Sequence, residues 1–117
     1  MKKLHDHIVP GLNEKIEINV IDEKGHGGAN HLYSIKYGED ILEIKFQKGP
    51  LKENPINGIS QEALLAVVID RLRGFQGGEF SCRENSIALT KCEEALMWLQ
   101  RRTNDRIKRG VEGFNIK

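Results

Sequence analysis

A long segment without helix-breaking residues places the strongest constraint on this chain. From Cys82 to Arg109 the sequence runs for 28 residues without glycine or proline, and Gly110 follows directly. A continuous helix of that length would measure about 42 Å, because each residue adds about 1.5 Å. A compact monomer of 117 residues is only about 35 Å across, since its radius of gyration is near 13 Å. The segment therefore predicts one helix as long as a whole compact monomer, with Gly110 ending it.

A shorter helix is predicted before the long one, and a glycine-rich turn separates the two. Ser60 is a good N-cap for a helix that runs to about Arg73. The sequence GFQGGEF at Gly74–Phe80 is typical of a turn. Ser81 then begins the sequence SCRE, which has the spacing of a capping box at the start of the long helix. The pattern predicts a two-helix hairpin over residues 60–109.

Both predicted helices carry more apolar surface than one short chain can cover. Ala63–Ile69 contains seven apolar residues in succession, and a helix that is apolar on every side has to be covered on every side. The long helix has Ile87 and Trp98 on one side. Its opposite side carries an apolar stripe of Leu89, Cys92, Leu96, Leu99 and Ile107. We therefore expect the hairpin to assemble with copies of itself; burial of the shorter helix within a monomer is the alternative.

The first half of the chain has the pattern of β-structure. Apolar and polar residues alternate in Lys15–Ile21, His31–Tyr37 and Ile41–Gln47, as in strands with one buried face. A short, glycine-containing connection joins the last two, so they are predicted to form an antiparallel hairpin. The predicted fold class is α+β, with an N-terminal antiparallel sheet of about three strands followed by the helical hairpin in an oligomer. The predicted divisions are a flexible N-terminus (1–14), a β subdomain (15–48), a linker (49–59), the helical hairpin (60–109) and a tail (110–117).

The composition excludes several classes of function. A net charge of +1 gives no overall reason to expect binding to nucleic acid or membranes. No apolar run approaches the ~20 residues of a membrane span, and the first residues lack the apolar core of a signal peptide, so a cytosolic location is expected. Cys82 and Cys92 would lie about 15 Å apart on one helix, too far for a disulfide. No metal-ligand spacing, phosphate-binding loop or paired nucleophile and base is present, so no metal, cofactor or catalysis is expected.

Polar residues interrupt the apolar pattern at both ends of the long helix. Asn85 lies on the line of the apolar stripe, close to the helix N-terminus, where free amides suit phosphate. Phe75, in the preceding turn, is suited to stack on a planar ring. Arg102 and Arg106 are four residues apart at the other end, which suits a clamp for phosphate oxygens. Hydrogen bonding of Asn85 to the preceding loop and a solvated charged helix end are the alternatives. In an antiparallel dimer the two ends would meet.

The chain resembles phage proteins that evade bacterial immunity. The first Thoeris anti-defence family and an anti-CBASS sponge family share a hairpin domain. This chain resembles that domain over the run EALLAVVIDRLRGFQGGEFSCRENSIALTKCEEALMWLQRRTNDRIKRGVEG. The N-terminal β part of the Thoeris family resembles GGANHLYSI and FQKGPLKENPINGIS. The resemblance covers about Ile16 to Gly113, which is nearly the whole chain.

The resemblance implies a sponge that is not an enzyme and acts in the cytoplasm of the infected bacterium. Such proteins bind glycocyclic ADP-ribose, the messenger of a bacterial TIR-domain enzyme, and keep it from activating an NAD-depleting effector. Some members also hold cyclic di- or trinucleotides at separate sites, for which Arg71 and Arg73 are the candidates here. The implied assembly is a homodimer that builds a hexamer or other higher oligomer. An enzyme that cleaves the messenger and a small oligomer that binds nucleic acid or protein are the alternatives.

The resemblance also assigns ligand-binding roles to residues of both halves. These residues are Phe75, Arg83, Asn85, Arg102, Arg106, Asn30 and His31. Phe75 would stack on the adenine, and Arg102 with Arg106 would grip the pyrophosphate across a dimer interface. Asn30 and His31 would close over the pocket from the β part.

Overall fold

The computed structural model describes residues 2–116 and has the predicted α+β class, with an antiparallel sheet followed by two helices. The elements in chain order are β1 (Lys2–Leu4), β2 (Glu17–Val20), β3 (Leu32–Tyr37), β4 (Asp40–Lys45), α1 (Gln61–Gln76) and α2 (Arg83–Lys108). The chain divides into two compact units. The sheet unit runs up to Gly49 and takes in Asn54–Ile59, and the hairpin unit comprises Pro50–Glu53 and the chain from Ser60 onwards. The segment predicted as a linker is therefore shared between the two units.

The sheet has four strands in the order β1-β2-β3-β4, one more than predicted, and every neighbouring pair is antiparallel. The additional strand, Lys2–Leu4, lies in the segment predicted as a flexible N-terminus and pairs with the edge of β2. It has one apolar residue, so apolar alternation could not identify it; its place comes from backbone pairing. Val20 is the buried apolar residue of this unit within residues 2–116.

The shorter helix begins where predicted but ends later. Ser60 is the N-cap, and its Oγ accepts a hydrogen bond from the backbone amide of Ala63 at 3.1 Å. The helix continues past Arg73 to Gln76, so Phe75 lies in its last turn and the prediction that Phe75 belongs to the following turn is wrong. Gly77 caps the helix by donating its amide to the carbonyl of Arg73. A glycine at position 74 did not stop the helix, since a helical glycine costs only ~1 kcal/mol, and the side chain of Gln76 in the last turn is bonded to the amide of Cys82.

The long helix is confirmed, but its predicted capping box is wrong. Ser81 remains in the turn, where its amide donates to the carbonyl of Gly78. Cys82 is the N-cap instead, and its Sγ accepts from the amide of Asn85 at 3.4 Å. The amide of Cys82 is itself held by the side chain of Gln76 at 3.1 Å. At the other end, Gly110 has φ +72, a conformation that glycine adopts without strain, and it follows the last helical turn as predicted.

The hairpin unit leaves much of its apolar surface exposed. Ile69 is the one buried apolar side chain of the two helices within residues 2–116. Val67, in the same apolar run, is 66% exposed, and Trp98 on the long helix is 57% exposed. Two helices can cover only one face of each other, so the remaining apolar faces of both stay open to solvent.

Candidate functional site

The turn end of the hairpin unit brings together an aromatic ring, a cation and an amide. The guanidinium of Arg71 lies over the ring of Phe75, 5.0 Å from its centroid. Asn85 is half-buried in the first turn of α2, and its side chain has no hydrogen-bond partner among residues 2–116. Arg83 is exposed at the first position of the same helix. This end therefore offers stacking, a free amide and positive charge.

The two arginines proposed for a second site have different surroundings. Arg71 belongs with Phe75, as described above. Arg73 instead pairs with Glu93 at 2.8 Å, with both side chains largely exposed, and the pair links α1 to α2. An exposed pair of this kind stabilises a fold by no more than about 1 kcal/mol. The structure thus gives these two side chains different partners.

The opposite end of α2 has an open cavity of about 810 Å³, lined mainly by exposed polar and charged side chains. Its lining includes Trp98, Arg101, Arg102, Asn104, Asp105 and Lys108. The guanidinium of Arg101 lies 5.0 Å from the centre of the Trp98 ring, an arrangement that holds both in place. Arg102 is exposed within this cavity and available to an anion. The Trp98–Arg101 pair was not predicted as part of a site, although their spacing of three residues on a helix was visible in the sequence.

Arg106 does not lie beside Arg102 in this cavity. It is only 8% exposed, so a solvated charged helix end does not describe it. Its Nε donates to Glu112 at 3.0 Å. Its Nη2 donates to the carbonyls of Val111 at 3.0 Å and Phe114 at 2.8 Å, and its Nη1 donates to the carbonyl of Ile116. The predicted clamp of two neighbouring arginines is therefore not formed in the single chain.

The residues that hold Arg106 form a short segment that we call the strap, residues 111–116. The carbonyl of Gly113 accepts from the amide of Lys52 at 2.9 Å, and the amide of Asn115 donates to Glu53 at 2.8 Å. Gly113 is buried with φ +86, and a Cβ there would come within 2.5 Å of the Lys52 side chain. The strap was predicted only as a tail. Two glycines and an acidic residue just after the helix were the signal that it turns back.

The two ends of the long helix are far apart within one chain. Seventeen residues separate Asn85 from Arg102, so the two lie about 26 Å apart along α2. A ligand the size of a dinucleotide cannot touch both. If Phe75, Asn85 and Arg102 contact one ligand, they must come from two copies of the chain.

In the sheet unit, the loop before β3 is held by Asp22. Its Oδ2 accepts from the amide of His31 at 2.9 Å, and its backbone carbonyl accepts from the side chain of Asn30 at 2.8 Å. Asp22 and His31 also line an open depression of about 350 Å³ together with Lys45 and Lys48. Asn30 and His31, predicted to close over a pocket, are thus engaged in shaping this loop.

The pKa of the Asp22 carboxyl is lowered from its ordinary value of 3.8. Desolvation, the largest single influence, raises the pKa, but bonds from the amides of His31 and Leu32 and from the side chain of Asn30 together outweigh it. A carboxyl with a lowered folded-state pKa stabilises the fold above its unfolded value, and that stability is lost as pH falls through the folded value.

We therefore expect the sheet unit to lose stability as the pH falls below about 4. The Asp22→Asn variant, whose amide oxygen still accepts from His31, should lose less over the same range. The measurement is denaturant unfolding of both proteins between pH 6 and pH 2, followed by hydrogen exchange at the His31 amide. Parallel pH profiles for the two proteins would contradict this role of Asp22.

The described residues also bear on metal binding and on membrane insertion. Within residues 2–116, no three histidine, cysteine or acidic side chains are grouped as metal ligands would be. No helix in that range combines the length and the apolar character needed to cross a membrane.

Comparison with known proteins connects this geometry to a family. A family model described as the Acb2/Tad1 hairpin domain matches residues 39–104. A protein of Bacillus phage SBSphiJ7 named Thoeris anti-defense 1 is 48% identical over 114 residues, which cover 97% of this chain and 79% of that protein. The chain belongs to the Acb2/Tad1 hairpin family. The family match takes in both helical ends described above, including Phe75, Asn85 and Arg102, but it stops before Arg106 and the strap.

Proposed function

We propose that this member of the Acb2/Tad1 family is a sponge that sequesters glycocyclic ADP-ribose and thereby inhibits Thoeris immunity in the cytoplasm of an infected bacterium. The name of the Bacillus phage relative supports an anti-defence role. The observation that carries the proposal is the placement of Phe75 and Asn85 at one end of the hairpin and Arg102 at the other. Those side chains match a ligand that has an adenine ring and a pyrophosphate.

In this proposal the ligand lies between two antiparallel copies of α2. Phe75 and Asn85 of one copy hold the base, and Arg102 of the other copy meets the pyrophosphate. Stacking contributes about 1–3 kcal/mol per base, and each bond to a charged group contributes about 1.5–3 kcal/mol. A few such contacts reach the ~12 kcal/mol of nanomolar binding. Because sequestration requires affinity and slow release, these contacts suffice without any catalytic group.

The exposed surface of the chain supports assembly into a homodimer and then a hexamer or other higher oligomer. The chain exposes 9168 Å², whereas two separate compact domains of half its mass would together expose only about 7,800 Å². Large apolar side chains contribute to this exposed surface, and Val67, Met97 and Trp98 are each more than half exposed. Large exposed apolar areas on a small protein are typical of interaction surfaces. A second copy is the partner that the two-ended site requires.

Cyclic di- or trinucleotides are proposed as further ligands at separate sites in the oligomer. Arg73 remains the candidate for such a site, although it is paired with Glu93 in the single chain. Arg71 is the weaker candidate, because its guanidinium already lies over Phe75. We place Arg71 with the first site, where it backs the ring on which the base would stack.

Intact recovery of the ligand is the expected result of a release experiment. Purified protein is saturated with glycocyclic ADP-ribose, washed and then denatured by heat. We expect one ligand per Phe75–Arg102 site to return chemically unchanged, and a reporter effector to respond to it again. Cleavage products in excess of the protein would instead support the alternative of a messenger-degrading enzyme. Binding that falls steeply with salt regardless of ligand shape would support a nucleic-acid-binding oligomer.

A further inference from the structure

The strap after α2 binds the guanidinium group of Arg106, which is otherwise suited to bind anions. Arg106 gives three of its bonds to the backbone carbonyls of Val111, Phe114 and Ile116 and one to the carboxylate of Glu112. A guanidinium has five donor hydrogens in a fixed plane, and planar recognition of phosphate is its characteristic use in proteins. In this structure, groups of the strap accept the hydrogen bonds that the guanidinium could donate to a phosphate.

We propose that the strap and a phosphate group compete for Arg106, so that an anion entering the arginine end releases the strap. The proposal rests on the proposed function in one respect, which is that a pyrophosphate-bearing ligand is taken as the natural anion. Arg102 is exposed in the neighbouring cavity and makes the first contact. Residues four apart are neighbours on a helix surface. Once the strap leaves, Arg106 joins Arg102 on the same ligand.

The exchange is balanced in energy because the strap offers Arg106 mostly neutral partners. Every bond that the guanidinium donates is already charge-assisted, because the donor is ionised. A phosphate differs from the strap in its acceptors: its oxygens share negative charge, whereas three of the four strap acceptors are neutral carbonyls. Two of the three carbonyls released, those of Phe114 and Ile116, belong to residues that are already exposed, and Val111 and Glu112 are partly exposed. All four acceptors can therefore be hydrated when the strap leaves, which avoids the cost of a buried polar group without a partner.

Besides Arg106, the strap contacts the segment Lys52–Glu53. The backbone bond between Lys52 and Gly113 and the bond from Asn115 to Glu53 are two of these contacts. The ammonium group of Lys52 also lies 5.6 Å from the centre of the Phe114 ring. The amide of Val111 also donates to the carbonyl of Arg106 at 3.0 Å, so the start of the strap continues from the helix end. Glu112, which is part of the strap, departs with it and removes a negative charge from the path of the anion.

Hydrogen exchange in the presence of inorganic pyrophosphate tests the competition directly. The amides of Asn115 and Lys52 report on the strap, because each donates across it. We expect pyrophosphate to accelerate their exchange by about tenfold, as loss of about 1.4 kcal/mol of local protection would produce. Sodium chloride at the same ionic strength is the control and should leave them unchanged. Unchanged or slower exchange with pyrophosphate bound, or no pyrophosphate binding, would overturn the proposal.

A pair of matched variants separates the strap from simple charge effects. Glu112→Gln weakens the strap and removes one negative charge, whereas Asp105→Asn removes a charge that lines the same cavity without touching the strap. We expect Glu112→Gln to bind pyrophosphate about tenfold more tightly and Asp105→Asn to gain clearly less. Equal gains would assign the effect to charge alone and contradict the strap. If pyrophosphate releases the strap but glycocyclic ADP-ribose is not retained, the proposed function fails and the strap proposal stands. If the messenger is retained while the exchange of the strap amides is unaffected, the strap proposal fails and the proposed function stands.

Discussion

Phe75→Ala chains and Arg102→Glu chains are each expected to bind the messenger more weakly, while co-expression of the two in equal amounts restores wild-type affinity at about a quarter of the sites. Loss of the stacking ring should weaken binding by about 5- to 150-fold, from ~1–3 kcal/mol per stacked base. Reversal of the charge at Arg102 should weaken it more, since removing one partner of a desolvated charge pair costs about 2–5 kcal/mol. Titration calorimetry gives both the affinity and the number of sites.

Recovery in the mixture follows from the distance between the two ends of α2. Since Asn85 and Arg102 are about 26 Å apart, a functional site must take Phe75 from one chain and Arg102 from another. With random mixing, about one site in four takes its Phe75 from an Arg102→Glu chain and its Arg102 from a Phe75→Ala chain. Those sites are entirely wild type, so they should have wild-type affinity.

The control for this experiment is a chain with both substitutions, co-expressed with wild type. In this mixture, too, about a quarter of the sites are wild type. The two mixtures should therefore match in the number and the affinity of their wild-type sites. No recovery in the mixture of single variants would show that the two residues act in one chain or not at one site. Wild-type affinity in both single variants would exclude these residues from the site altogether.

The second large effect is expected on assembly. The Val67→Asp substitution should dissociate the oligomer into smaller species while leaving the helix content unchanged. Val67 is 66% exposed in the single chain, where an acidic residue would change stability by less than about 0.5 kcal/mol. At an interface the same carboxylate would be buried without a partner, which costs several kcal/mol. Light scattering after size-exclusion chromatography measures the mass, and circular dichroism measures the helix content.

The matched control is Ile56→Asp, which introduces the same charge at an even more exposed apolar residue of the sheet unit. We expect it to leave the mass unchanged. A Val67→Asp protein with the wild-type mass would contradict the use of this face of α1 in assembly. A mass change in both variants would point to a general effect of charge rather than to a specific interface.

The helices were predictable because their signals are local. Twenty-eight residues without glycine or proline, and a capping serine at position 60, act over one or two turns of chain. The N-cap of α2 was misplaced by one residue because Ser81 and Cys82 are both capable of capping. The choice between them depends on the bond from Cys82 to Gln76 across the turn. The strand at Lys2–Leu4 was missed because its pairing with β2 is a long-range contact.

For the candidate site, the residue types were predictable but their availability was not. The sequence marked Phe75, Asn85 and Arg102 through breaks in the apolar pattern and through the family resemblance. It also placed Arg102 and Arg106 on one face, since they are four residues apart. The spacing of residues in a helix fixes the direction in which each side chain leaves the helix axis. It does not determine which residues beyond the helix pack against that side chain.

By itself, the sequence determined that this protein has a long helix, a helical hairpin with excess apolar surface and an α+β fold, because those features follow from local pattern and length. Only the tertiary structure decided which arginine faces solvent and which is enclosed. Arg106 is buried because the chain turns back at Gly110 and Gly113 and brings three carbonyls and Glu112 around it. Such an enclosure depends on the path that the chain takes after the helix ends, which composition and periodicity do not specify.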